Sequence, residues 1–261
     1  MVGKMIILLF TSFCCLTLAA AQGKAKGEDI FQNSTESCEQ IFNETASLVE
    51  PILLVGSKSF PITIPEIDAH CKLGNDVYKR ARKYGKCLQG LARQTLQIYL
   101  HGLRRFIRSI CQSTAKKQDA INDLKCATDG TLEGWNMCLD ATNRQLDFVS
   151  DNSTSVGVVG DVCCIYSSLL NCIDQRTGTK SDCTPKGDTT KFFKTSIALV
   201  LKEVIELICS RYATEQECAA NNPDGLVRIK LAAETNRTVD GAYLLSPLLK
   251  IVNKLSDDSD V

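Results

Sequence analysis

Two adjacent cysteines, Cys163 and Cys164, stand ahead of an apolar run in "GDVCCIYSSLLNCID" (160–174), and Cys172 follows eight residues after the second. Such cysteines can belong to a catalytic helix, hold a metal, or staple a helix in place. Zinc fits poorly. No CxxC occurs in the chain, and the only two histidines, His70 and His101, fall in no ligand spacing. Those histidines are also the only imidazole bases available. His70 precedes Cys71 at what reads as a helix start, and His101 follows the apolar Tyr99 and Leu100. Each reads as an ordinary helical histidine rather than a general base. No GxSxG, HExxH, P-loop or EF-hand calcium loop is present. The expectation is a protein without enzymatic activity, metal or cofactor.

One hydrolase template needs separate treatment. The secreted phospholipases A2 place a His-Asp pair two residues beyond a helical Cys-Cys pair, the histidine acting as base towards a calcium-bound substrate. This chain has Ser167 and Ser168 there, and "YGKCLQG" (84–90), a faint echo of that family's calcium loop, lies far upstream. The template fails. The staple reading is complete by itself: neighbours on a helix point about 100° apart, so Cys163 and Cys164 face different elements. Each is expected to tie the helix to its own neighbour, with Val162, Tyr166, Leu169 and Ile173 filling the apolar face.

The rest of the chain supports staples. Lys4, the apolar run from Met5 to Leu18, and Ala19 and Ala21 read as a signal peptide over 1–21, with Gln22 expected to begin the mature chain. The apolar run is too short to span a bilayer, and no transmembrane anchor is expected. Of fourteen cysteines, Cys14 and Cys15 leave with the signal peptide. The remaining twelve are Cys38, Cys71, Cys87, Cys111, Cys126, Cys138, Cys163, Cys164, Cys172, Cys183, Cys209 and Cys218. In a secreted protein they read as disulfides, with roughly ten thousand connectivities open. Only Cys172–Cys183 suggests itself, as a closure of the turn between two helices. Four sequons, at Asn33, Asn43, Asn152 and Asn236, predict N-glycans at exposed positions. Asn152 lies in "SDNSTSVGVVGD", which reads as a connecting loop.

Apolar spacing is helical nearly throughout, predicting an all-α, disulfide-stapled domain. One stripe runs Tyr99, Leu100, Leu103, Phe106, Ile107, Ile110; a second runs Phe193, Ile197, Val200, Leu201, Val204, Ile208; a shorter one runs Leu132, Trp135, Leu139, Leu146, Val149. Ser246-Pro247 opens a last stripe through Leu248, Ile251, Val252 and Leu255. "PITIP" (61–65) reads as an extended linker. Cys71, Cys87 and Cys111 are spaced much like Cys164, Cys183 and Cys209. The likeness suggests two related helix-turn-helix halves joined by residues 112–159. The working division is an N-terminal glycosylated segment over 22–65, the cysteine framework over 66–220, and a C-terminal amphipathic helix with an acidic tail over 221–261.

Thirty basic and thirty acidic residues balance overall, so no global field recruits a polyanion. The distribution is uneven. From Lys72 to Lys117 twelve basic residues face a single acid, Asp76. Within that segment Lys79, Arg80, Arg82, Lys83, Lys86, Arg104, Arg105 and Arg108 are candidate anion ligands, suited to sulfated sugar, anionic lipid or phosphate. Nucleic acid is not expected, since the compartment is wrong and only Tyr78 and Tyr84 interleave the charges.

"CKLGNDVYKRARKYGKCL" (71–88), "FIRSIC" (106–111), "VCCIYSSLLNCI" (162–173) with a cysteine ten residues on, and the closing "ELIC" (206–209) together carry a likeness. In that order they resemble a family of secreted, cysteine-rich, helical arthropod glycoproteins that includes insect haemolymph proteins. The resemblance covers Cys71 to Cys218 and implies an extracellular, non-enzymatic glycoprotein without naming a ligand. Two functional classes follow. One is a carrier that holds a small apolar ligand between the long amphipathic helices, with the stripe from Leu244 to Leu255 over its mouth. The other is a binder of anionic glycan through Lys72–Lys117; action through a protein partner is a third route that no residue specifies.

Overall fold

The helical rhythm of the sequence becomes helices. The computed structural model describes residues 37–183, 187–235 and 238–257, which form one compact unit. The signal peptide expected over 1–21, the sequons at Asn33 and Asn236 and the chain beyond Asp257 lie outside the described residues. In order, the α-helices are α1 (Cys38–Ala46), α2 (Val49–Ile52), α3 (Ile64–Tyr84), α4 (Gly90–Cys111), α5 (Thr114–Lys125), α6 (Thr131–Asn152), α7 (Val158–Arg176), α8 (Thr189–Ile208), α9 (Glu215–Asn221), α10 (Pro223–Glu234) and α11 (Leu245–Asp257). No strand is present among the described residues; a lone antiparallel bridge joins Ala127 to Thr179.

Short polar residues start the helices by satisfying orphan N–H groups. Ser37 accepts from Gln40 N, Ser113 from Lys116 N, Asp188 from Lys191 N and Thr214 from Glu217 N. Each such cap is worth about 1 kcal/mol. Two expectations shift at the boundaries. The extended stretch ends at Thr63, and Pro65 sits in the first turn of α3, where its missing N–H costs nothing. The chain at Thr63 is fixed by Glu66, which accepts the N–H groups of Ile62 and Thr63 and the Thr63 hydroxyl. His70 therefore lies inside α3 rather than at its start. Likewise Asn152 is the last residue of α6, not part of a long loop, and its amide donates to the Phe148 carbonyl at 2.8 Å.

α6 and α7 form the spine. Their hairpin passes through two apolar clusters. The first gathers Ile67, Ile110, Ile121, Leu124, Trp135, Leu139, Leu169, Ile173 and Phe193. Trp135 stacks on Phe193 with centroids 4.4 Å apart and donates its indole N–H to the Leu53 carbonyl at 2.7 Å. The second cluster joins Leu146, Val149, Val158, Ile165, Leu226, Ile229 and Ile251. Burying each of these side chains contributes about 1.5–3 kcal/mol.

All twelve cysteines of the described residues are bridged: Cys38–Cys87, Cys71–Cys111, Cys126–Cys183, Cys138–Cys172, Cys163–Cys209 and Cys164–Cys218. The adjacent pair does tie α7 to two different elements, the end of α8 and α9. The suggested Cys172–Cys183 closure is wrong. Cys172 turns into the α6–α7 interface and meets Cys138, while Cys183 reaches back to Cys126 at the end of α5. The two-half pattern survives with a shift of one residue. In each half a helix cysteine meets the end of the next helix (Cys71–Cys111, Cys163–Cys209), and the turn cysteine meets a preceding element (Cys87–Cys38, Cys183–Cys126). It is Cys163, not Cys164, that occupies the place of Cys71.

The segments 22–65 and 221–261 share the compact unit with the framework as far as they are described. α1 packs on α3, and α10 and α11 pack on α6. α11 starts at Leu245, one residue before Ser246-Pro247. Its seat on α6 is polar as well as apolar. The Tyr243 hydroxyl donates to Asp140 at 2.7 Å, Leu244 N to Asn143 at 2.9 Å, and Lys250 reaches Asp151 at 3.4 Å and Asp147 at 3.8 Å.

Candidate functional site

α3 and α4 carry the basic segment, and several contacts set their register. Cys71 is bonded to Cys111, a Cβ on Gly74 would meet Ile107 at 3.2 Å, and one on Gly85 would meet Leu96 at 3.4 Å. The numbers fall on one helix as they rise on the other, so the two run antiparallel. The Arg104 guanidinium lies 6.0 Å from the Tyr78 ring centroid, the outer reach of a cation–π contact. That contact brings the exposed face of α4 alongside residues 75–82 of α3.

The eight candidate ligands separate into two groups. Arg80 is held by Glu44 of α1, and Arg105 by Glu203 of α8 at 2.9 Å; both are half-buried and neutralised. They leave the site. Lys79, Arg82, Lys83, Lys86, Arg104 and Arg108 are exposed. Of these, Lys79 has only the neighbouring Asp76 at 3.7 Å, a loose pair on an open surface. Arg82, Lys86 and Arg108 form no ion pair with any described residue, and the same holds for the exposed Lys72 and Arg93 next to them. Lys72, Lys79 and Arg82 fall within one face of α3 and span about 15 Å. Arg93, Arg104 and Arg108 fall within one face of α4, next to the α3 junction.

The two histidines do not enter this face as bases. Burial pushes His70 below its ordinary value, so it is neutral at pH 7. His101 sits at the edge of the face, 3.5 Å from Glu203. Lys117, at the far end of the segment, is paired with Asp68 at 2.6 Å.

Both described sequon asparagines, Asn43 on α1 and Asn152 at the end of α6, are exposed. No helix among the described residues is long and apolar enough to cross a membrane.

The long stripes expected to wall a ligand space pack on one another instead. α4 crosses α8 so closely that a Cβ on Gly102 would fall 2.1 Å from the Val200 carbonyl oxygen. The C-terminal stripe seats directly on α4 and α6, with Ile251 4% exposed. Two grooves are present among the described residues, the larger of them beside that crossing and open to solvent. The larger, about 550 Å³, lies between α4, α5 and α8, with Ile110, Phe192 and Leu199 among its apolar residues and Lys116, Asp119, Asp123, Asp188 and Lys191 among its charged ones. The smaller, about 230 Å³, lies between α6 and α10.

Asp123 in the larger groove has a testable electrostatic cost. Burial, followed by the neighbouring Asp188 and Asp119 charges, pushes its carboxyl above the ordinary value, although it accepts the Asp188 N–H at 2.8 Å. A carboxyl that binds its proton more tightly folded than unfolded favours the fold at low pH and loses that advantage as pH rises through the folded value. Asp123→Asn keeps an oxygen for the Asp188 N–H and removes the charge. It is expected to raise the melting temperature at pH 7 by roughly 1–3 °C, with the gain gone by about pH 3.5, below the ordinary carboxyl value. A lower melting temperature than wild type at pH 7 would show that the charge is needed.

No protein-family model, no curated protein and no solved structure matches this chain.

Proposed function

We propose that this is an extracellular protein that binds sulfated or otherwise anionic glycan through the α3–α4 face. The observation that carries the reading is the cluster of Arg82, Arg104 and Arg108 with Lys72, Lys86 and Arg93, which form no ion pair among the described residues, on two helices that the Cys71–Cys111 bridge holds together. Nearby acids are already committed, Glu44 to Arg80, Glu203 to Arg105 and Asp68 to Lys117. The face therefore keeps its positive potential although the whole chain is formally neutral. Six bridges and the absence of an apolar spanning helix among the described residues fit an extracellular setting. The resemblance to secreted arthropod glycoproteins points the same way. Guanidinium groups suit this task because their planar forks match sulfate and phosphate oxygens.

Heparin binding by the secreted protein provides the test. Affinity is expected to fall at least about tenfold between 50 and 300 mM NaCl, because exposed charges are screened within a Debye length. Arg82→Glu/Arg104→Glu/Arg108→Glu should remove most of the binding at low salt. Lys191→Glu, a charge reversal away from this face, should leave it within about twofold. Retained binding in the triple variant would sink the reading.

A further inference from the structure

The α6–α10 groove holds a second kind of chemistry. α10 turns Leu226 and Ile229 into the core and leaves Val227 58% and Leu231 60% exposed. Four residues apart on a helix, these two make one apolar strip on the surface. Leu231 opens into the slot of about 230 Å³, whose other lining residues are Arg144, Phe148, Arg228, Ala232 and Thr235. The slot is thus an apolar trough with two cations and no carboxylate.

The two arginines are placed differently. Arg144 donates from Nε and Nη2 to the Ala233 carbonyl, at 3.1 and 2.7 Å. That fork pins its guanidinium at the C-terminal end of α10 and holds a fixed positive charge beside the trough. Arg228 is exposed and forms no ion pair with any described residue, so it is available to close over a bound anion. Phe148, half-buried on α6, supplies the aromatic wall.

We infer that this slot binds a small amphiphile, a short alkyl chain ending in a carboxylate. The tail follows from the lining, since Phe148, Leu231 and Ala232 offer it apolar contact in a slot of about 230 Å³. The head follows from charge complementarity, since an anion would meet two guanidiniums and a cation would meet the same pair with no counter-charge. The sequon at Asn152 argues for a small occupant over a macromolecule. Asn152 lies one helical turn beyond Phe148, so a glycan there would sit beside the slot and hinder a protein while admitting a short chain.

Calorimetry on the full secreted protein with octanoate tests this, with octylamine and octanol as comparators. Octanoate should bind saturably at one site and at least tenfold more tightly than octylamine, with octanol between them. Leu231→Trp, which fills the trough from an exposed position, should abolish the heat. Arg228→Glu should weaken octanoate at least tenfold, and unchanged helical circular dichroism will show that both variants fold. No saturable octanoate heat, equal binding of octanoate and octylamine, or binding that survives Leu231→Trp would each overturn the assignment. Saturating heparin should leave the octanoate affinity unchanged, because the slot and the basic face share no residue. Failure of one reading therefore leaves the other standing.

Discussion

Secretion of the Cys164→Ser protein from eukaryotic cells is expected to fall to a small fraction of wild type, whereas His70→Ala and His101→Ala should be secreted almost normally. The reason lies in what the adjacent pair holds. Cys163 and Cys164 are both 0% exposed, and their bridges run to Cys209 at the end of α8 and to Cys218 in α9. The Cys164–Cys218 bridge closes a separation of 54 residues. In the chain-entropy account a closure of that length limits the unfolded chain by about 4 kcal/mol. Serine adds a second loss, since it puts a hydroxyl at a position without solvent and leaves Cys218, also 0% exposed, as an unpaired thiol. A domain of this size has about 5–15 kcal/mol of stability in total, so the bridge is a large share of it. Cys38→Ser should matter far less to secretion, because Cys38 is exposed and its bridge tethers only α1 to the α3–α4 turn. The measurement is the secreted fraction by quantitative blot, with free thiols counted on the denatured protein. Wild-type secretion of Cys164→Ser, with the Cys218 thiol quiet, would mean that the bridge contributes nothing and that packing alone holds α7.

Why the sequence made the role of Cys163 and Cys164 legible, but not their partners, is a matter of range. The angle between neighbours on a helix is local, so two separate attachments could be read directly. Which cysteine lies opposite depends on helix crossings between residues 34 to 57 apart, and no local pattern records those. The apolar stripes of α4 and α8 were legible for the same local reason. The seat of α11 was not. It depends on Asp140, Asn143, Asp147 and Asp151, which recur at helical spacing along one face of α6. That polar periodicity stood in the sequence, on a helix read only for its apolar side. The basic segment shows the reverse limit. Its charge excess was plain, yet only the fold shows that Glu44 and Glu203 withdraw Arg80 and Arg105 from it while Arg82, Arg104 and Arg108 form no ion pair among the described residues.

Gly102→Ala is expected to destabilise the fold by about 2 kcal/mol or more, a loss visible as a clear drop in the urea midpoint. Alanine in a helix interior is intrinsically better than glycine by up to about 1 kcal/mol, so the sign depends on what the methyl meets. At Gly102 it would lie 2.1 Å from the Val200 oxygen, 2.8 Å from its carbonyl carbon and 2.9 Å from its Cα. All three are backbone atoms, and no rotamer change moves them. α4 and α8 must separate by about 1 Å to restore ordinary contact. Gly85 supplies the contrast. It has φ −57°, and its nearest contact would be at 3.4 Å, so Gly85→Ala should be neutral or stabilising by about 0.5 kcal/mol. The separation also has an electrostatic consequence, because the same crossing holds Arg105 against Glu203 at 2.9 Å. Spreading the helices would release Arg105 towards the basic face. Gly102→Ala should therefore lower stability without lowering heparin affinity at temperatures where the protein remains folded. A variant that melts like wild type would show that α4 and α8 do not approach this closely. One that stays folded but loses heparin would place the binding face on the α4–α8 side, away from the α3–α4 junction.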